Sequence, residues 1–178
     1  MPEITDAEAA LLGLVAEGLR YPYEIEQQVK NRDMRFWTEL SMSSIYKLLA
    51  KLELKGFVIS STEISPENRL RKIYGLTPAG QTALHKKIEA LLSQTEHVRW
   101  PLDIGTYNSS LLPPERVRAA LEKYRREIQE KIKGYEELLR FLHDSGCLPH
   151  RQAVAARPIY LLKAEEEWVK SFLDGMEN

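Results

Sequence analysis

The residues best placed to do chemistry lie between Ser41 and Lys87. Eight basic side chains fall there, Lys47, Lys51, Lys55, Arg69, Arg71, Lys72, Lys86 and Lys87, against three acids, Glu53, Glu63 and Glu67. The whole chain carries a net charge of −1, so cations are concentrated in this stretch. Within it Ser43, Ser44, Tyr46, Lys47 and Lys51 interleave with Ile45, Leu48, Leu49 and Leu52. The apolar members recur at helical spacing, which puts the hydroxyls and ammonium groups on other faces. A second cluster, Arg69, Arg71 and Lys72, follows about twenty residues on. Such groups donate hydrogen bonds and positive charge to a polyanion, and nothing in the pattern breaks a bond.

Other chemistries are poorly supported. His143, Cys147 and His150 have metal-like spacing but lack a fourth ligand, so no metal site is expected. No glycine-rich loop cradles a phosphate, and no serine has a histidine and an acid patterned beside it. The chain is therefore expected to be no enzyme and to carry no cofactor. A composition 43% hydrophobic and 29% charged is that of a soluble globular protein with a core. No run reaches the roughly 18 apolar residues of a membrane span, and the first residues do not resemble a secretory signal. With Cys147 as its single cysteine, the chain fits a reducing cytoplasm.

The elements that must position the cations read as follows. Thr5 with Glu8 is a capping box opening a helix with Ala7, Ala10, Leu11, Leu14 and Val15 on its inner face. Gly18 stops it. Pro22 starts a second helix, where its missing N–H costs nothing, and 31–40 is a loop holding Phe36 and Trp37. Ser41 or Ser43 caps the third helix, which Gly56 closes. The period then changes to strand alternation: 57–64, a turn at Ser65-Pro66-Glu67-Asn68, and 69–76 form a β-hairpin. Thr77-Pro78 opens a fourth helix.

Residues 97–114 read as a connector, followed by a long helix over 115–145 and a last helix over 151–173 that Pro158 should kink or restart. Leu121, Ile128, Tyr135 and Leu142 lie seven apart, a coiled-coil-like stripe read as a dimer seam, with an intramolecular core as the other reading.

The fold class expected is mainly α with a small β-hairpin: a winged helix-turn-helix over 1–92 and a helical dimerisation domain over 93–178. In this arrangement the third helix docks its apolar face on the first two and presents its polar face to the major groove. The hairpin cations are expected to lie along the DNA backbone or in the minor groove.

A resemblance supports this reading. The runs 9–18, Tyr23-Glu24-Ile25, Phe36-Trp37, Ser43-Ser44-Ile45-Tyr46, 48–53 with Gly56, and 71–80 resemble, in order and spacing, the PadR family of transcriptional regulators. The similarity spans about residues 7–92. The helical remainder looks like the family's longer subfamily, with a virulence-activator-like dimerisation domain. The chain departs from the family at Tyr21-Pro22, where His-Gly is common. It departs again at Ser43 and Lys47, where Gly and Pro are frequent; Lys47 adds a cation.

The resemblance implies that Ser44 and Tyr46 touch DNA, and the expected DNA-binding set is Ser43, Ser44, Tyr46, Lys47, Lys51, Arg69, Arg71 and Lys72. The expected partners are a palindromic double-stranded operator and a second copy of the chain, with half-sites one helical turn apart, roughly 34–36 Å. The expected function is that of a regulator, repressor rather than activator. The family also implies a small aromatic or hydrophobic effector, for which Trp37, Trp100, Tyr107 and Trp168 are the candidate ligand residues; packing in the core is their other reading. The alternative function is a winged-helix protein-interaction module without specific DNA binding.

Overall fold

The computed structural model describes residues 3–18, 21–64 and 68–176. The described residues hold seven α-helices and one antiparallel hairpin, divided between two compact units, Met1–Glu96 and His97–Asn178.

In the first unit α1 (Asp6–Ala16), α2 (Pro22–Asn31) and α3 (Met42–Leu54) precede β1 (Val58–Ile64), β2 (Leu70–Leu76) and α4 (Pro78–Ser93). Local chemistry sets the boundaries. The Thr5 hydroxyl accepts from the Glu8 N–H at 3.2 Å, and the Glu8 carboxylate accepts from the Thr5 N–H at 2.9 Å. Ser41, not Ser43, caps α3. The Thr77 hydroxyl accepts from the Gly80 N–H at 3.0 Å and donates to the Gly56 carbonyl at 2.7 Å, so one side chain fixes where α4 starts. Gly56 closes α3 with a φ of +71°, a conformation that glycine adopts without steric cost.

Within the loop read over 31–40, Met34–Phe36 form one turn of 3₁₀ helix. Arg35 fastens it: its Nε donates to the Leu40 carbonyl at 3.0 Å, and its Nη2 pairs with Glu26 of α2. The core is built from Leu11, Leu12, Ile25, Val29, Ile45, Leu49 and Leu52, with Phe57 and Tyr74 from the hairpin. Each such fully buried aliphatic side chain contributes about 1.5–3 kcal/mol relative to exposure. The α3 stripe anticipated from spacing is thus the surface on which the helix docks.

In the hairpin Val58 pairs with Leu76 and Ile64 with Leu70, in register throughout. Of the turn expected at 65–68, Ser65, Pro66 and Glu67 lie outside the described residues; Asn68 has the left-handed φ of +58° that asparagine tolerates in turns.

The second unit differs from the sequence reading in three ways. The connector contains a short helix, α5 (Pro101–Tyr107), and a 3₁₀ turn, Ser109–Leu111. Pro101 stands at its first turn, where a proline is tolerated. The last helix, α7 (Pro149–Gly175), runs through Pro158 instead of restarting there. Proline removes one N–H, whose partner would be the Val154 carbonyl; Val154 is 49% exposed, so water reaches that turn. Finally, the stripe read as a dimer seam is occupied within the chain. Leu121 and Ile128 of α6 (Pro114–Asp144) are buried with Ile159, Val169 and Leu173 of α7, and Tyr135 packs on the same cluster. A heptad pattern specifies that a helix needs a partner; here the partner is the next helix of the same chain. Tyr124 donates to Glu165 at 3.2 Å and Lys163 pairs with Glu136 at 3.0 Å along this seam.

Candidate nucleic-acid interface

With Ile45, Leu49 and Leu52 turned inward, α3 exposes Ser43, Tyr46 and Lys47 on its outer side. Tyr46 is 52% exposed, high for a ring of its size. The two serines are not equivalent. The Ser44 hydroxyl accepts from the Ser41 N–H at 2.7 Å and donates to the Ser41 carbonyl at 2.8 Å, closing a reciprocal cap. Its hydroxyl is committed within the helix. Ser43 is exposed beside it, 3.2 Å from the Ser41 hydroxyl.

Lys47 and Lys51 of α3, and Arg69, Arg71 and Lys72 of the hairpin, are all exposed. Lys51 lies 3.0 Å from Glu8, alongside Lys55 at 2.9 Å. Glu8 has no exposed surface, and burial alone would push its carboxyl up. Hydrogen bonds from Lys55, from the Thr5 N–H and from Lys51 outweigh burial and hold it below the ordinary value. Lys72 pairs with Glu53 at 2.8 Å and lies 5.0 Å from the Tyr74 ring centre. The Lys72 bond, followed by a bond from Ser60, lowers Glu53, and Glu53 in turn raises Lys72. Lys51 and Lys72, grouped with the other cations on sequence, each have an acidic partner inside the unit.

Three elements meet at one surface. Tyr21, Pro22, Tyr23 and Glu24 at the start of α2, Tyr46 of α3, and Arg71 and Lys72 of β2 line an open cleft of about 600 Å³. Tyr23 is 64% exposed there. Tyr21 and Tyr23 were not among the candidate site residues; their place at the start of the helix before α3 was the available signal. Phenolic hydroxyls, an exposed guanidinium and a helix face of hydroxyl and ammonium groups form a surface suited to a sugar-phosphate backbone and base edges.

The candidate ligand residues fall in both units. Trp37 belongs to the first unit and is 53% exposed. Trp100 and Tyr107 stand at the two ends of α5, and Trp168 packs on Phe172 with ring centres 5.6 Å apart. Among the described residues no group of His, Cys, Asp and Glu is arranged to hold a metal ion, and no helix is long and apolar enough to cross a membrane.

Residues 11–86, from the middle of α1 into α4 and including the whole cleft, match the model of the transcriptional regulator PadR-like family. The chain carries a PadR-like domain. The family so matched is one of transcriptional regulators. The negative transcriptional regulator PadR of Bacillus subtilis is 28% identical over 134 residues, 73% of each chain. Its crystal structure with operator DNA has a TM-score of 0.76 at 23% identity, covering 95% of this chain and 98% of that one. Its complex with p-coumaric acid gives 0.77 at 22%, over 96% and 95%. The Vibrio cholerae virulence activator AphA gives 0.68 at 17%, over 97% and 98%. These likenesses extend the shared fold past the PadR-like domain into the helical second unit.

Proposed function

We propose that this PadR-like chain is a homodimeric, sequence-specific DNA-binding repressor acting in the cytoplasm. The observation that carries the reading is the cleft where Tyr46 of α3, Arg71 of β2 and Tyr23 of α2 meet beside exposed Lys47. Tyr46, Lys47 and Ser43 enter the major groove, and Arg69 and Arg71 hold the flanking backbone. Ser44, Lys51 and Lys72 act through the fold: Ser44 caps the recognition helix, and the two lysines neutralise acids.

Dimerisation follows from operator symmetry, since one recognition helix reads only a half-site. The second unit supports it. Phe141, Tyr160 and Leu161 remain 67%, 76% and 47% exposed on α6 and α7 although the seam between those helices is filled. B. subtilis PadR has been crystallised with p-coumaric acid. That, with Trp100 and Trp168 in the second unit, supports control by a small aromatic acid that changes half-site spacing.

Footprinting on the DNA upstream of the protein's own coding sequence tests the reading. Protection of a palindromic site, relieved by a phenolic acid, is the expected result. Absence of any protected site at protein concentrations that coat scrambled DNA would overturn it.

A further inference from the structure

Glu53 stands in the last turn of α3, the helix that presents Tyr46 and Lys47, and its carboxylate is divided between the two strands of the hairpin. Oε1 accepts from the Ser60 hydroxyl of β1. Oε2 accepts from the Lys72 ammonium of β2 at 2.8 Å. The strand register places Ser60 opposite Tyr74 and Thr62 opposite Lys72, so Ser60, Lys72 and Tyr74 share one face. Lys72 lies over the Tyr74 ring, and Tyr74 is only 5% exposed. One carboxylate therefore ties the recognition helix to both strands of the wing, and the tie ends on a ring held in the core.

We propose that Glu53 is a specificity-determining positioning residue, which withholds Lys72 from the DNA backbone and fixes the wing's angle against the recognition helix. The proposal rests on the DNA-binding reading above. A carboxylate and a DNA phosphate compete for the same ammonium. Binding to any sequence is largely a sum of cation–phosphate contacts, each releasing counterions. An internal acid that occupies Lys72 removes one such contact from every duplex alike and leaves base-edge contacts untouched. It also fixes where Arg71, one residue before Lys72, meets the backbone relative to Tyr46. The side chains of Lys72 and Glu53 keep 50% and 33% of their exposure, and ion pairs that wet add little to stability. Their consequence is geometric, so the effect should appear in DNA discrimination with the thermal midpoint nearly unchanged.

The test uses the full chain, its E53Q and K72Q variants, the upstream duplex and a scrambled duplex, with affinities measured across salt concentrations. E53Q releases Lys72. Its binding to scrambled DNA should tighten and its salt slope steepen by about 0.9, the value of one added phosphate contact. The released lysine adds equally to both duplexes, but a wing no longer held at a fixed angle to Tyr46 should lose the equivalent of one base contact on the upstream duplex, so the ratio of specific to scrambled affinity should fall about tenfold. K72Q should leave the slope unchanged on both duplexes. A slope shallower by about 0.9 in K72Q would make Lys72 a phosphate contact and overturn the proposal, as would an E53Q variant that discriminates like the wild type. A readout without DNA separates this from the reading beneath it. In carbon-detected NMR titration the Glu53 carboxyl should titrate below the ordinary glutamate range in the wild type and move up in K72Q. Ordinary titration in the wild type removes the clamp whatever the DNA data say. A wild type that binds no duplex overturns the DNA reading and the specificity role together, while the titration still reports whether the clamp exists.

Discussion

Lys55 holds its ammonium 2.9 Å from both carboxylate oxygens of Glu8, an acid with no exposed surface. Glu8 belongs to the capping box of α1, and Lys55 caps the far end of α3. The acid that starts the first helix therefore also holds the end of α3, with Lys51 as a third partner at 3.0 Å. Glu8→Gln leaves ammonium groups whose side chains keep 19% and 52% of their exposure, so the loss is that of charge-assisted hydrogen bonds and not of a stranded buried charge. It is expected to destabilise the protein by about 1.5–3 kcal/mol. Denaturant unfolding of the variant beside the wild type measures it; a difference below the error of extrapolation would contradict the role given to Glu8.

The same cluster sets a pH dependence. Burial raises the Glu8 carboxyl, but hydrogen bonds from Lys55, the Thr5 N–H and Lys51 lower it more, so its folded value lies below the ordinary 4.5. A depressed carboxylate contributes stability that is complete above its unfolded value and is lost as pH falls through its folded value. The wild type should therefore lose stability faster than Glu8→Gln as pH drops below 4.5, and the two should run parallel above it. Unfolding midpoints at pH 3 to 7 are the measurement; parallel curves throughout would assign the acid sensitivity elsewhere.

Gly80 is a packing glycine. A Cβ built there would lie 2.0 Å from the Phe57 carbonyl oxygen and 3.0 Å from Leu76 Cδ1. That carbonyl already accepts the Thr77 N–H at 3.1 Å, so the backbone at the base of the hairpin cannot move away without losing a bond. Gly80→Ala is expected to cost about 1–3 kcal/mol through overpacking. Gly134 of α6 has nothing within 4 Å of its position. Gly134→Ala should stabilise α6 by about 0.5–1 kcal/mol, because alanine is the better helix former. Thermal midpoints moving in the same direction for both variants would refute the contrast.

What the sequence made legible was local. The capping box at Thr5 and Glu8, the start at Thr77-Pro78 and the alternation of the hairpin each involve residues within one turn or one strand, where spacing alone carries the information. The polar face of α3 was readable because Ile45, Leu49 and Leu52 mark the buried side. The partners of Lys72 and Lys55 were not readable, since Glu53 is 19 residues from Lys72 and Glu8 is 47 residues from Lys55. Only folding brings those acids to the cations, and a charge count treats all of them as alike. The heptad of α6 likewise specified an apolar stripe and left its partner open; α7 fills it. Pro158 was expected to kink or restart the last helix, and it lies inside one that runs through it.

Arg71 should report the backbone contact. Arg71→Ala is expected to weaken binding to upstream and scrambled duplexes by the same factor and to make the salt slope shallower by about 0.9. A loss confined to the upstream duplex would place Arg71 at a base edge instead.

The most direct test of the central claim is competition fluorescence anisotropy on the upstream DNA. It compares the wild type with Tyr46→Ala and Lys47→Ala, against scrambled competitor and at several salt concentrations. The account predicts tight wild-type binding that survives competitor and weakens with salt. It also predicts a clear loss of affinity in both variants with unchanged thermal midpoints. Equal, weak binding of the wild type to both DNAs, or full affinity in both variants, would contradict it.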